Sequence, residues 1–173
     1  MSITWINSSA QAGEWLLSFP ERVYTVEEVK KAVELIRKGY QHNLELNGSP
    51  DFKSKAEEAL QLIKTAGYYD FLSTYIRQIR ESDGLSQLRE TEVAIWTNNI
   101  VVADSIDAAG LFVQKAQQMK DFLEGKLYYE TGEIRAVEKR IEFLKTLRVK
   151  SKNPTIKKKC EEHLKRWVET TFP

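Results

Sequence analysis

Apolar residues recur every three or four positions in the stretch after Thr25, and charged residues fill the positions between them. This spacing places the apolar side chains on one face of a helix. Thr25 and Glu28 have the spacing of a capping box, in which each side chain accepts a hydrogen bond from the other residue's backbone N–H. The Asn-Gly-Ser-Pro sequence at 47–50 predicts the end of this helix. The apolar face consists of Val26, Val29, Val33, Ile36, Tyr40 and Leu44.

Three longer stretches show the same helical period. The first covers 52–79 and is interrupted at Gly67, so it predicts either one bent helix or two consecutive helices. The second covers 102–123 and the third 134–148, with a Thr-Gly turn at 131–132 between them. Two periodic segments joined by a tight turn predict an antiparallel helical hairpin.

Both ends of the chain carry signals of further helices. Ser8 or Ser9 can cap a short N-terminal helix, which Pro20 would close. At the other end, Asn153 and Pro154 form a cap followed by a proline at the first helical position. The apolar stripe predicted for this last helix is Ile156, Cys160, Leu164 and Trp167.

The segment 85–104 is ambiguous. Its apolar residues fit a helix, yet β-branched residues on both sides of Thr-Asn-Asn at 97–99 also fit a short β-hairpin near 92–104. An isolated two-stranded hairpin is only marginally stable in water, and no other segment indicates a partner strand. The sequence therefore favours helix–loop–helix over the hairpin here.

Together these patterns predict an all-α fold, a bundle of about six or seven helices in a single domain over 1–173. Only four prolines and eight glycines are present, which is few for a sandwich or a barrel. A chain of 173 residues is long enough to bury a core without a metal or a disulfide. The single cysteine and the absence of a long apolar run favour a cytoplasmic protein without membrane insertion.

Basic residues concentrate near the C-terminus, although the formal net charge of the whole chain is only +1. The part from 135 to 173 holds twelve Lys or Arg and five Glu, so it carries +7 and the remainder −6. We therefore predict that the helical hairpin and the last helix, from about residue 133, are basic. The candidate partner-binding residues are Lys150, Lys152, Lys157, Lys158, Lys159, Lys165 and Arg166.

Three roles are compatible with this basic end: a structural or solvated surface, a site for an acidic protein, or a site for nucleic acid or anionic lipid. Nucleic acid would favour clustered lysines through counterion release. Against this, glutamates are interleaved, stacking aromatics are sparse, and the pI of 7.8 is low for a nucleic-acid-binding domain. A structural or solvated role is favoured.

Few residues indicate chemistry. No phosphate-binding loop, dinucleotide fingerprint, nucleophile elbow or zinc-protease motif occurs in the sequence. Cys160 and His163 lie three residues apart on the last helix, but a zinc site would need two more ligands, so a buried structural cysteine is favoured. His42 and Glu45 form one similar pair, for which a hydrogen bond at the helix end is the simpler interpretation. The sequence predicts no catalytic residue, metal or cofactor.

The leading functional hypothesis is a non-enzymatic protein-interaction, adaptor or assembly module, which binds a protein partner or itself. Its basis is the long apolar stripes together with the absence of a catalytic motif. One alternative is a helical enzyme or small-ligand-binding domain whose site has no recognisable motif. The other is nucleic-acid binding through the basic C-terminal region.

Overall fold

The computed structural model describes residues 18–127 and 129–171. The predicted all-α fold is wrong, because a four-stranded mixed sheet accompanies the helices. Within the described residues there are six helices: α1 (Val26–Arg37), α2 (Pro50–Ala66), α3 (Tyr69–Tyr75), α4 (Ser105–Leu123), α5 (Thr131–Lys150) and α6 (Pro154–Thr171). The strands are β1 (Glu45–Asn47), β2 (Gln78–Glu81), β3 (Gln87–Arg89) and β4 (Ala94–Thr97). The short helix predicted before Pro20 lies outside the described residues.

The sheet has the strand order β1-β2-β4-β3. β1 and β2 are parallel and are connected through α2 and α3, while β2 and β4 are also parallel. β3 pairs with β4 in the antiparallel direction. The three parallel strands therefore all end at the same edge of the sheet, next to the start of β3.

The segment 85–104 forms neither of the two structures predicted for it. Ala94–Thr97 is a strand, but its partners are β2 and β3, and the predicted second arm contains a one-turn 3₁₀ helix at Val101–Ala103. The expectation that no other segment supplies a partner strand fails for the same reason. Each strand has only three or four residues, which is too short for an alternating pattern to be distinguished from a helical one.

α1 begins as predicted and ends earlier than predicted. The Thr25 hydroxyl accepts from Glu28 N at 3.2 Å and the Glu28 carboxylate accepts from Thr25 N at 2.8 Å, which confirms the capping box. The helix stops at Arg37, because Gly39 adopts φ +96°, which is incompatible with a right-handed helix. The chain then turns into β1, so the apolar period up to residue 44 does not belong to one helix.

The core lies between α2, α4, α5 and one face of the sheet. Five of its largest side chains are fully buried, namely Phe52, Ile63, Ile79, Phe112 and Phe143. Arg135 contacts Asp121 at 3.2 Å near the turn and Arg140 contacts Asp107 at 2.7 Å farther along both helices. Contacts in this order show that α4 and α5 are antiparallel, which confirms the predicted hairpin.

Arg140 connects three helices from inside the molecule, although it is only 3% exposed. Its guanidinium donates to the Gln114 side chain at 2.9 Å and to the Asp107 carboxylate at 2.7 Å, and it stacks on the Trp167 ring at 4.2 Å. Burial lowers its pKa to about 10, and the Asp107 carboxylate opposes that shift. Arg140 therefore remains charged at neutral pH and holds α4, α5 and α6 together.

α6 begins with the predicted cap. The Asn153 side-chain oxygen accepts from Thr155 N at 2.9 Å and from Ile156 N at 3.4 Å. Cys160 and Leu164 of the predicted stripe are buried, which fixes this face of the helix against α5. Among the described residues, no helix combines the length and the apolar character that crossing a membrane requires.

Candidate functional site

The two faces of the sheet differ in character. In register across the four strands, Leu46, Ile79, Ile95 and Leu88 lie on one face and pack into the core. On the opposite face the corresponding row is Asn47, Arg80, Trp96 and Gln87, and none of the described helices buries it. This row lies next to the edge where β1, β2 and β4 end.

Trp96 is the centre of the open face. Its strand, β4, lies between β2 and β3, which contribute Arg80 and Arg89. The Arg89 guanidinium carbon lies 4.3 Å from the centre of the Trp96 ring system and that of Arg80 lies 5.3 Å from it, so both cations contact one aromatic group. The indole Nε1 of Trp96 is buried and has no hydrogen-bond acceptor among the described residues.

The two arginines have few other partners. Arg80 is exposed, and within the described residues no hydrogen bond or ion pair to its guanidinium is present. Arg89 lies 3.9 Å from the Glu92 carboxylate and 3.5 Å from the Gln87 side-chain oxygen, both at the outer limit of a direct contact. The donors of both guanidinium groups are therefore available to a further ligand.

Two aliphatic side chains project from the loops at the same edge of the sheet. Leu85, between β2 and β3, is 87% exposed, and Ile100, after β4, is 86% exposed. Contiguous exposed apolar surface often marks a contact site for another molecule, and these two side chains lie on neighbouring loops.

Hydrogen bonds fix these loops to each other. Asn98 donates from its amide to Gly84 O at 3.1 Å, and its side-chain oxygen accepts from Ile100 N at 3.0 Å. The hydroxyl groups of Ser86 and Thr97 are 2.7 Å apart. Leu85 and Ile100 are therefore exposed on loops whose backbone is held by hydrogen bonds.

Glu81 positions the neighbouring loop between β1 and α2. Its carboxylate accepts from Ser49 N at 2.8 Å, and Ser49 also caps α2 by accepting from Phe52 N at 3.1 Å. A side chain at Gly48 would place a Cβ 2.7 Å from Glu81 Cβ, so only glycine fits this close approach. A shallow polar cleft runs along this edge, lined by Asn47, Gly48, Gln78, Arg80, Glu81, Ser82 and Asp83.

Two of the predicted basic residues have hydrogen-bond contacts within the protein. Lys150 donates to Ala66 O at 3.4 Å at the C-terminal end of α2, and Arg166 contacts His163 Nδ1 at 3.2 Å. The other five are exposed on and before α6, namely Lys152, Lys157, Lys158, Lys159 and Lys165. Partner binding by this set stays a prediction.

Cys160 and His163 have different surroundings. Cys160 is fully buried, and burial raises the pKa of its thiol to about 11. His163 Nε2 lies 3.3 Å from the Asp104 carboxylate, while its Nδ1 faces Arg166. Since an arginine can only donate, Nδ1 accepts and Nε2–H points to Asp104. In the described part of the chain, no group of three or more His, Cys, Asp or Glu is arranged to hold a metal ion.

His42 is not at a helix surface, which corrects the interpretation of its pairing with Glu45. It is 6% exposed, and its ring meets those of Phe19 at 4.4 Å and Tyr40 at 5.0 Å edge to face. Neither ring nitrogen has a hydrogen-bond partner among the described residues. Burial, with a contribution from the Arg77 charge, lowers the pKa of His42 to about 4.

Sequence patterns do not reveal the residues of the open face. Gln-Ile-Arg at 78–80 and Ala-Ile-Trp at 94–96 each have a buried residue between two that face the other way, but three residues do not define a period. The stronger signal was an apolar residue inside a turn: Leu85 follows Ser-Asp-Gly and Ile100 follows Asn-Asn.

Comparison with other proteins assigns no relative to this chain: no family model, no curated protein and no solved structure matches it. Its function is therefore inferred from the geometry alone.

Proposed function

We propose that this chain is a non-enzymatic protein-interaction module that binds a segment of a partner protein at the edge of its sheet. The observation that supports the proposal best is the pair of almost fully exposed aliphatic side chains on hydrogen-bonded loops. The sheet-end surface, as we name it, consists of Arg80, Leu85, Arg89, Trp96 and Ile100.

The composition of the sheet-end surface supports protein binding. Tryptophan and arginine are enriched among the residues that dominate the binding energy of protein interfaces. Burying an exposed Leu or Ile side chain contributes roughly 1.5–3 kcal/mol, so Leu85 and Ile100 would add substantially to affinity. The two arginines, which have no close acceptor among the described residues, favour a partner segment that carries acidic residues beside apolar ones.

A library of displayed random peptides tests this proposal and does not require the partner to be identified first. We expect peptides selected on the wild-type chain to bind the double variant Leu85→Ser, Ile100→Ser about tenfold or more weakly. Val149→Ser is the matched control, because Val149 is also aliphatic and is 73% exposed, but it lies on α5. Selected peptides should bind this control like the wild type.

Both outcomes are informative because none of these side chains belongs to the core. Unfolding curves should show the same stability for the variants and the wild type. If no peptide is selected, or if selected peptides bind all variants equally, the sheet-end surface is not a protein-binding site.

A further inference from the structure

The open face holds two like charges close to one another. Arg80 and Arg89 come from the two strands that flank β4, and both guanidinium groups contact the Trp96 ring. The electron-rich face of an indole attracts each cation, but the two cations repel each other. An anion beside the Trp96 ring would reduce that repulsion, because it attracts both guanidinium groups.

The guanidinium donors at this position have no close acceptor among the described residues. Glu92 approaches Arg89 only to 3.9 Å and Gln87 only to 3.5 Å, and no acceptor for Arg80 is present in the described part of the chain. A carboxylate has two oxygens that match the planar donor pair of a guanidinium group. A carboxylate from a partner would therefore supply acceptors that the described residues do not provide.

We infer that the partner segment places an acidic side chain against Arg80 and Arg89, beside the Trp96 ring, while its apolar side chains cover Leu85 and Ile100. This inference rests on the proposed function and specifies the chemistry of the partner. In this arrangement Leu85 and Ile100 contribute most of the affinity, and the two arginines make the surface specific for a carboxylate.

A protein carboxylate fits this position better than a nucleic acid. The guanidinium groups already occupy the Trp96 ring on which a base would stack. Leu85 and Ile100 offer aliphatic surface, which an apolar peptide side chain covers.

The indole N–H resonance of Trp96 in NMR, assigned with Trp96→Phe, reports on binding at this position. The probes are an acetylated, amidated Glu-Leu-Glu-Leu-Glu peptide, the same peptide with Gln in place of Glu, and an oligothymidylate. We expect the acidic peptide to shift this resonance and the other two probes to leave it unchanged.

Arg80→Gln and Arg89→Gln should each weaken binding of the acidic peptide about tenfold or more. Arg22→Gln should not weaken it, since Arg22 is also exposed and stacks on an aromatic ring, Tyr24, at 5.6 Å.

The outcomes separate this inference from the proposed function. If the Gln peptide binds as well as the acidic one and only the Leu85→Ser, Ile100→Ser variant weakens it, the carboxylate site is wrong and the proposed function remains. If oligothymidylate shifts the resonance and the acidic peptide does not, the inference is wrong and the surface binds nucleic acid. If the acidic peptide binds every arginine variant equally, the inference is likewise overturned.

Discussion

Two pairings of tryptophan with arginine occur in this molecule, and their surroundings differ. Arg140 stacks on Trp167 inside the helical layer, where Asp107 and Gln114 accept its hydrogen bonds. Arg80 and Arg89 stack on Trp96 at the surface of the sheet, where the described part of the chain offers no close acceptor. The same pair of residue types therefore stabilises helix packing in one region, whereas in the other its guanidinium donors are available to a ligand.

Burial and hydrogen bonding together distinguish these two roles. A buried guanidinium needs partners in the protein, because an unpaired buried charge is strongly unfavourable. An exposed guanidinium is hydrated and can exchange its water for a ligand. Stability measurements can test this contrast independently of any binding partner.

The largest effect is expected when the buried arginine is removed. Arg140→Ala should lower the free energy of unfolding by about 3 kcal/mol, because Gln114 and Trp167 lose their partner and a cavity remains. Arg80→Ala, the control on the sheet, should change it by less than about 0.5 kcal/mol. Urea unfolding followed by far-ultraviolet circular dichroism measures both. Equal losses would show that the sheet pair is also structural and would remove the contrast.

The buried His42 extends the comparison to pH. The folded-state pKa of His42 is about 4, below its ordinary value of 6.5, so the unfolded state binds a proton more readily. The contribution of His42 to stability is therefore complete above about pH 6.5 and is lost as the pH falls towards 4, by about 2–3 kcal/mol. His42→Phe should reduce the acid-induced loss of stability by that amount. An unchanged loss in His42→Phe would contradict the burial of a neutral imidazole.

How well the sequence predicts each region depends on how far apart along the chain the residues that stabilise it lie. The stripes of α4, α5 and α6 repeat over about twenty residues, and caps such as Asn153 are decided by their immediate neighbours. The strands depend on partners far along the chain, since β1 pairs with residues more than thirty positions later. For this reason the helices were predicted largely correctly and the sheet was missed.

The candidate site was missed for the same physical reason. Arg80 and Arg89 come together only because β4 lies between β2 and β3, a strand order that no local pattern encodes. The basic lysines near the C-terminus are visible in the sequence as a charge excess, but charge density alone does not show which groups have internal partners. Arg140 belongs to the same excess and is buried.

A smaller effect is expected from filling the space beside Arg140. A Cβ at Gly110 would lie 2.6 Å from Arg140 Nε, and the hydrogen bonds of Arg140 prevent it from moving aside. Overpacking of about 1–3 kcal/mol should exceed the gain of about 1 kcal/mol that alanine brings to a helix, so Gly110→Ala should be destabilising by about 1 kcal/mol. Gly84→Ala is the control in the sheet region, because its nearest atom is 3.8 Å from the added Cβ. Thermal unfolding measures both variants. A melting temperature of Gly110→Ala equal to or above that of the wild type would show that the residues around Arg140 can rearrange.

The smallest effect concerns the basic start of α6, where a substitution is expected to raise the free energy of unfolding instead of lowering it. Lys157 lies in the first turns of the helix, where the positive end of the helix dipole disfavours a cation. Lys157→Glu should therefore raise the free energy of unfolding at low salt by about 0.3 kcal/mol, because repulsion from Glu161, four residues later, offsets part of the dipole gain, and salt should reduce the effect. Lys165→Glu is the control, because Lys165 is also exposed but lies outside the first turns and has glutamates four residues away on both sides, at Glu161 and Glu169. If the free energy of unfolding rises in Lys157→Glu and falls in Lys165→Glu, the wild-type lysine at position 157 makes α6 less stable than an acidic residue would. That result would mark the position as one to test for partner binding, whereas no gain at Lys157 would leave its lysine as an ordinary solvated side chain.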